Sequence, residues 1–186
     1  MREWSGQEFF DPEGILQEVA RSRVGFIPDQ GRAPGWQNLR SNELNQERQW
    51  LDAAVFTLGV REALGIDARL ARHEDDDFDF LVTWPSDGEQ NACPVQLKEL
   101  VPNHLNPDAG LNQLIASLQR YSCPTDTIVA IKLNRTGRFD FNSLEVPALP
   151  FRQLWLFGSE SADNSRWFLY GNVVDAPRYH SFSIPI

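Results

Sequence analysis

Cysteine and lysine are both scarce in this chain of 186 residues, with two of each: Cys93 and Cys123, Lys98 and Lys132. Two cysteines exclude a disulfide framework and a cysteine-rich zinc site. The three histidines, His73, His104 and His180, show no ligand-like spacing. No run approaches the roughly eighteen apolar residues of a transmembrane helix. The opening "MREWSGQEFFDPEG" lacks the apolar segment of a signal peptide, so a cytoplasmic setting is expected. There is no GxGxxG and no GxxxxGK[ST], which leaves a glycine loop around nucleotide phosphates without support. The absence of GxSxG removes the simplest serine-hydrolase reading. A net charge of −9 weighs against a protein that coats nucleic acid nonspecifically. An enzyme that meets phosphates locally, through a divalent cation and a few arginines, remains compatible with that charge.

Apolar residues make up 41% of the chain and six are tryptophans, which implies a packed core; at this length one domain, 1–186, is the natural expectation. The fifteen arginines against two lysines point to arginine-biased coding and a prokaryotic source. Asp11-Pro12 reads as an N-cap and first helical position, opening a short helix through about residue 22. The Pro- and Gly-punctuated "PDQGRAPGWQNLRSN" reads as a long loop, so residues 1–40 are an N-terminal helix and loop.

The strongest helix signal covers 42–64, where Leu44, Leu51, Ala54, Val55 and Leu58 fall on one face and Gly65 closes the segment. Strands are predicted at 67–73, 78–84 and 94–101. The last two form an antiparallel hairpin around Asp87-Gly88. A second amphipathic helix at 111–121 leads to the continuous apolar strand 126–135, which a crossover would place parallel to the strand before it. The core of the domain is thus 41–135. Residues 151–159 and 165–174 read as a closing hairpin, followed by an extended tail to residue 186. The predicted class is α/β, a mixed sheet flanked by helices in the order αβββαβ, with a C-terminal β-hairpin.

One stretch carries chemistry: "DDDFDFLVTWPSDGEQNACPVQLKEL", residues 75–100. Residues two apart in a strand share a face, so Gln96 and Lys98 point the same way, as do Asp77 and Asp79 on the preceding strand. Pairing of the two strands would let a carboxylate, an amide oxygen and an ammonium converge. Glu47 lies within the apolar stripe of the long helix, three residues after Leu44 and four before Leu51. It would approach from above, since an unpartnered buried carboxylate is costly. Such a cluster suits phosphodiester hydrolysis. Mg²⁺ takes oxygen ligands and keeps several waters, and a neighbouring lysine orients water or offsets transition-state charge. Asp79 is the expected principal ligand, with Asp77 as the alternative. Taken alone, a Gln-x-Lys pair in a strand is more often a solvated face than a catalytic pair.

The layout resembles the PD-(D/E)xK nuclease superfamily, the restriction-endonuclease-like fold. The family's acid at the head of the second core strand is matched by Asp79 or Asp77. Its [D/E]-x-K is matched by Gln96-Leu97-Lys98, a Q-x-K variant that is similar to one found among restriction enzymes of the superfamily, and its helical glutamate by Glu47. The resemblance covers about residues 41–135. It implies a Mg²⁺- or Mn²⁺-dependent endonuclease acting on nucleic acid, DNA before RNA, without a membrane and often as a homodimer. Asp79, Glu47 and Gln96 would hold the metal, and Lys98 would assist the water and phosphate. The alternative is a catalytically silent binding or interaction module of the same fold, favoured by the missing acid at Gln96 and the acidic net charge.

Overall fold

Helix α2 spans Asn42–Leu64, the predicted bounds, and it organises the rest of the molecule. The computed structural model describes residues 7–24, 42–72, 78–121, 126–135 and 137–185. From Ala53 to Val60 every residue of α2 is buried, so for two turns the helix is enclosed on all sides rather than along one stripe. One side meets helix α1 (Pro12–Val24) and the other meets the sheet. Phe56 lies between Phe80 and Phe157, with ring centroids at 6.2 and 5.6 Å. It is fully buried, a position where truncation to alanine costs about 3–5 kcal/mol. Gly59 allows the closest approach of helix to sheet: a Cβ there would stand 2.9 Å from Cε1 of Phe182.

Among the described residues, seven strands form one sheet in simple sequence order, β1 to β7. They are β1 Arg69–Arg72, β2 Phe80–Ser86, β3 Glu89–Leu100, β4 Ile128–Leu133, β5 Gln153–Ser159, β6 Arg166–Gly171 and β7 Arg178–Ser183. The predicted hairpin is present, β2 and β3 running antiparallel with Phe80 opposite Val95. Asp87 and Gly88 turn it, both with positive φ, the backbone region that tight hairpin turns require. Helix α3 (Leu111–Ser117), continued by a 3₁₀ turn at Leu118–Arg120, carries the chain across the sheet. Strand β4 then runs parallel to β3, as expected of a crossover. Strand β5 is again parallel to β4, whereas β6 and β7 return antiparallel. The chain is therefore α/β, with a seven-stranded mixed sheet and helices on both faces.

The tail corrects one expectation. Within the expected extended tail, Arg178–Ser183 is a full edge strand, with Trp167 opposite Phe182. The predicted start of β3 also moves from residue 94 to Glu89, since its first turns of polar residues pair with Trp84, Pro85 and Ser86. Trp155 and Trp167 are core residues, each less than a tenth exposed.

The two faces of the sheet build two cores. Phe80, Val82, Val95, Ala130, Phe157 and Leu169 pack with α1 and α2. Leu100, Val129, Ile131, Leu154 and Leu156 pack with Ile115 and Leu118 from the α3 segment. Strand alternation on β3 accordingly sends Leu97 toward α2 and leaves Gln96 and Lys98 on the α3 face.

Candidate functional site

Asp79 immediately precedes β2, and its backbone N–H donates to the carbonyl of Val95 at 3.0 Å. Its side chain continues that pairing. Oδ2 of Asp79 accepts the backbone N–H of Leu97 at 2.6 Å and a hydrogen bond from the Gln96 amide nitrogen. Where β2 begins, β3 would otherwise lose a ladder partner at Leu97, and the carboxylate supplies it. Burial pushes the Asp79 carboxyl above its ordinary value, outweighing the Leu97 N–H, the Lys98 charge and the Gln96 amide, which all act downward.

The other end of the Gln96 amide is also engaged: the Tyr121 hydroxyl donates to its Oε1 at 2.6 Å. Tyr121 follows the 3₁₀ turn that ends the α3 segment, and its ring lies under Lys98, with Nζ 4.5 Å from the ring centroid. Gln96 is buried, while Asp79 and Lys98 are half-buried. The four side chains thus form one group on the α3 face, at the end of the β2–β3 pairing.

Three of the residues selected from the sequence, Asp79, Gln96 and Lys98, are therefore together. Glu47 is not among them. It is exposed and meets none of them, and α2 lies on the opposite face of the sheet. Trp50 and Leu51 pack against the core, whereas Glu47, on the turn before them, faces solvent. Asp77 lies outside the described residues, as does the rest of the acidic run from Glu74. Gln113 and Arg120 are exposed, Gln113 accepting the backbone N–H of Gly110 at 3.0 Å.

Sequence reasoning missed Tyr121, whose distance from Gln96 along the chain gives no signal. It also missed Asp52, the α2 acid that does turn toward the sheet. Oδ1 of Asp52 meets Nζ of Lys132 at 2.6 Å, both side chains 15% exposed. Burial raises the Asp52 carboxyl above its ordinary value, more strongly than the Lys132 charge lowers it. Beside this pair Glu99 bridges Arg48 at 3.4 Å and accepts from Asn134 at 2.7 Å, on the face away from Lys98 as the strand alternation predicts. Arg48, Asp52, Lys132 and Asn134 line part of a cavity of about 1050 Å³ bordered by Leu16, Leu51, Trp167 and Ile184. That cavity lies behind the sheet from Asp79, so it and the Gln-x-Lys pair are separate places. Lys132 occupies a central strand face rather than an edge.

Cys93 offers no nucleophile, because burial pushes its thiol up to about 12. Among the described residues no three His, Cys, Asp or Glu side chains gather as a cation site. The oxygen donors present fit a hard cation of the Mg²⁺ kind through Asp79, whose Oδ1 accepts no hydrogen bond from a described residue. Gln96 fits through Oε1 once its amide makes a half-turn, because the nitrogen faces Asp79 in this arrangement. No described helix is long and apolar enough to cross a membrane. No family model, no curated protein and no solved structure matches this chain.

Proposed function

We propose that the chain has a restriction-endonuclease-like core and acts as a divalent-metal-dependent nuclease on DNA, with Asp79, Gln96 and Lys98 as its working residues. The observation that carries this reading is the convergence of a carboxylate, a primary amide and an ammonium at the end of the β2–β3 pairing. Asp79 stands just before β2, and Gln96 and Lys98 lie in β3, in an αβββαβ order with a parallel crossover after the third strand. Asp79, and Gln96 after its amide turns, would hold the cation. Bound Mg²⁺ supplies charge against a phosphate and a more acidic water.

The chain's own groups do the rest. Lys98 brings the positive charge that an acidic protein of net charge −9 must concentrate locally to accept a phosphodiester. Its ammonium orients a water and offsets negative charge that develops at the phosphate. With Gln96 in place of an acid, the Asp79 and Lys98 charges nearly balance, so less of the site's charge calls for a cation. Glu47, exposed on the other side of the sheet, has no part in this proposal as a ligand.

A second reading, a catalytically silent module of the same fold, is favoured by one contact. Asp79 already completes the β3 ladder at Leu97, a structural task that needs no metal. Incubation of supercoiled plasmid with Mg²⁺ or Mn²⁺ separates the two, with single-stranded RNA as the competing substrate. Metal-dependent nicking that Asp79→Asn abolishes supports the nuclease; the asparagine keeps an oxygen for Leu97 while removing the charge. Intact plasmid with both metals, and no saturable heat on Mn²⁺ titration, supports the module.

A further inference from the structure

We propose that Tyr121 is a positioning residue of this site, its hydroxyl holding the Gln96 amide in place and its ring holding the Lys98 ammonium. The inference rests on the functional reading above for its purpose, but not for its geometry. One side chain touches both members of the Gln-x-Lys pair, and it does so through two different kinds of interaction.

A primary amide has two ends of nearly the same shape and opposite hydrogen-bonding character. Asp79 accepts from one end, and the Tyr121 hydroxyl donates to the other at 2.6 Å. Because Gln96 is buried, water is not freely at hand to replace either partner, and an orphaned amide oxygen would be costly. The acceptor-only Asp79 carboxylate selects the state in which nitrogen faces it, and the Tyr121 hydroxyl holds that state by donating to the oxygen. A hydroxyl can also accept, so the same side chain can satisfy the amide after a half-turn that presents Oε1 beside Asp79. The Gln96 orientation is thus held without being locked.

The ring acts separately. Lys98 makes no ion pair with a described residue, and its ammonium lies 4.5 Å from the Tyr121 ring centroid, within cation–π range. A flexible four-carbon side chain is thereby given a fixed place without its charge being neutralised. That is what a lysine needs if it is to act on a phosphate. Lys132, on the other face, is paired with Asp52 instead.

The chain's two lysines make this testable, because lysine-selective ¹³C labelling gives only two sets of ε-methylene signals. Tyr121→Phe keeps the ring and removes the hydroxyl; Tyr121→Leu removes both. The expected result is that Tyr121→Phe shifts the Gln96 side-chain amide protons, identified by their loss in Gln96→Glu, and leaves the Lys98 signal in place. Tyr121→Leu should also move the Lys98 signal out of the ring-current shift, with Lys132 unchanged in both variants. In nicking assays Tyr121→Phe should lower kcat by about tenfold or more, at a KM within about twofold of wild type. Unmoved Gln96 amide protons in Tyr121→Phe would overturn the role of the hydroxyl, and an unmoved Lys98 signal in Tyr121→Leu that of the ring. Should the wild-type protein cut no plasmid, the nuclease reading fails alone, and the resonances still decide what Tyr121 does.

Discussion

Nζ of Lys132 and Oδ1 of Asp52 meet at 2.6 Å between the sheet and α2, so one of the chain's two lysines is neutralised by an ion pair. The other, Lys98, lies on the opposite face against a tyrosine ring and makes no ion pair with a described residue. Two lysines that look alike in the sequence, each inside a strand, therefore do different things. Lys132 serves packing, and Lys98 is left with charge to spare.

Removing one member of the Lys132–Asp52 pair strands the other in a poorly hydrated place. Lys132→Met should destabilise the fold by about 2–3 kcal/mol, less than for a fully buried pair because both side chains keep some exposure. The double variant Asp52→Leu with Lys132→Met should recover most of that loss. Urea denaturation midpoints measure both. A single variant as stable as wild type would show that the pair contributes nothing.

Asp79 predicts a pH dependence of definite sign. Burial raises its carboxyl above the ordinary 3.8, so the folded state holds the proton more tightly than the unfolded chain does. The stability this contributes is present below 3.8 and is lost as pH rises through the folded value. Asp52 shares the direction, so the contribution of Asp79 is isolated by difference. Unfolding free energies of wild type and Asp79→Asn, measured across the acidic range without metal, should show the wild-type advantage shrinking as pH rises. A flat or growing advantage contradicts the burial argument.

Gln96→Glu restores the acid that the Q-x-K pattern lacks. Tyr121 can still donate to one oxygen, leaving the other beside Asp79. Two carboxylates in one site repel and favour either a proton or a cation between them. Calorimetric titration should show Mn²⁺ affinity raised by about tenfold or more, with lower stability at neutral pH when metal is removed. An affinity equal to wild type would place the cation, if any, elsewhere.

Much of this fold was readable from local pattern. The α2 bounds, the Asp87-Gly88 hairpin and the parallel crossover into β4 follow from periodicity, turn chemistry and chain geometry. Strand β7 was not readable because Arg178, Tyr179, His180 and Ser181 alternate no apolar face; its pairing comes from β6, not from its own composition. Glu47 misled for a different reason. A stripe assumes one buried face, whereas α2 is enclosed between α1 and the sheet only from Ala53 to Val60, and Glu47 lies before that stretch, in solvent. The Asp79–Gln96–Lys98 grouping was legible because strand alternation is strict and the hairpin fixes the register. Tyr121 and Asp52 join their partners through tertiary packing, which leaves no mark in local spacing.

The nuclease reading stands or falls on Lys98, a strand lysine that makes no ion pair with a described residue. Plasmid nicking in Mg²⁺ or Mn²⁺ by wild type and Lys98→Ala, with thermal melts as the control for folding, is the direct measurement. The account predicts metal-dependent nicking by wild type that falls by about a hundredfold or more in Lys98→Ala, with the melting temperature nearly unchanged. Nicking by Lys98→Ala at the wild-type rate, or none by wild type in either metal, contradicts it.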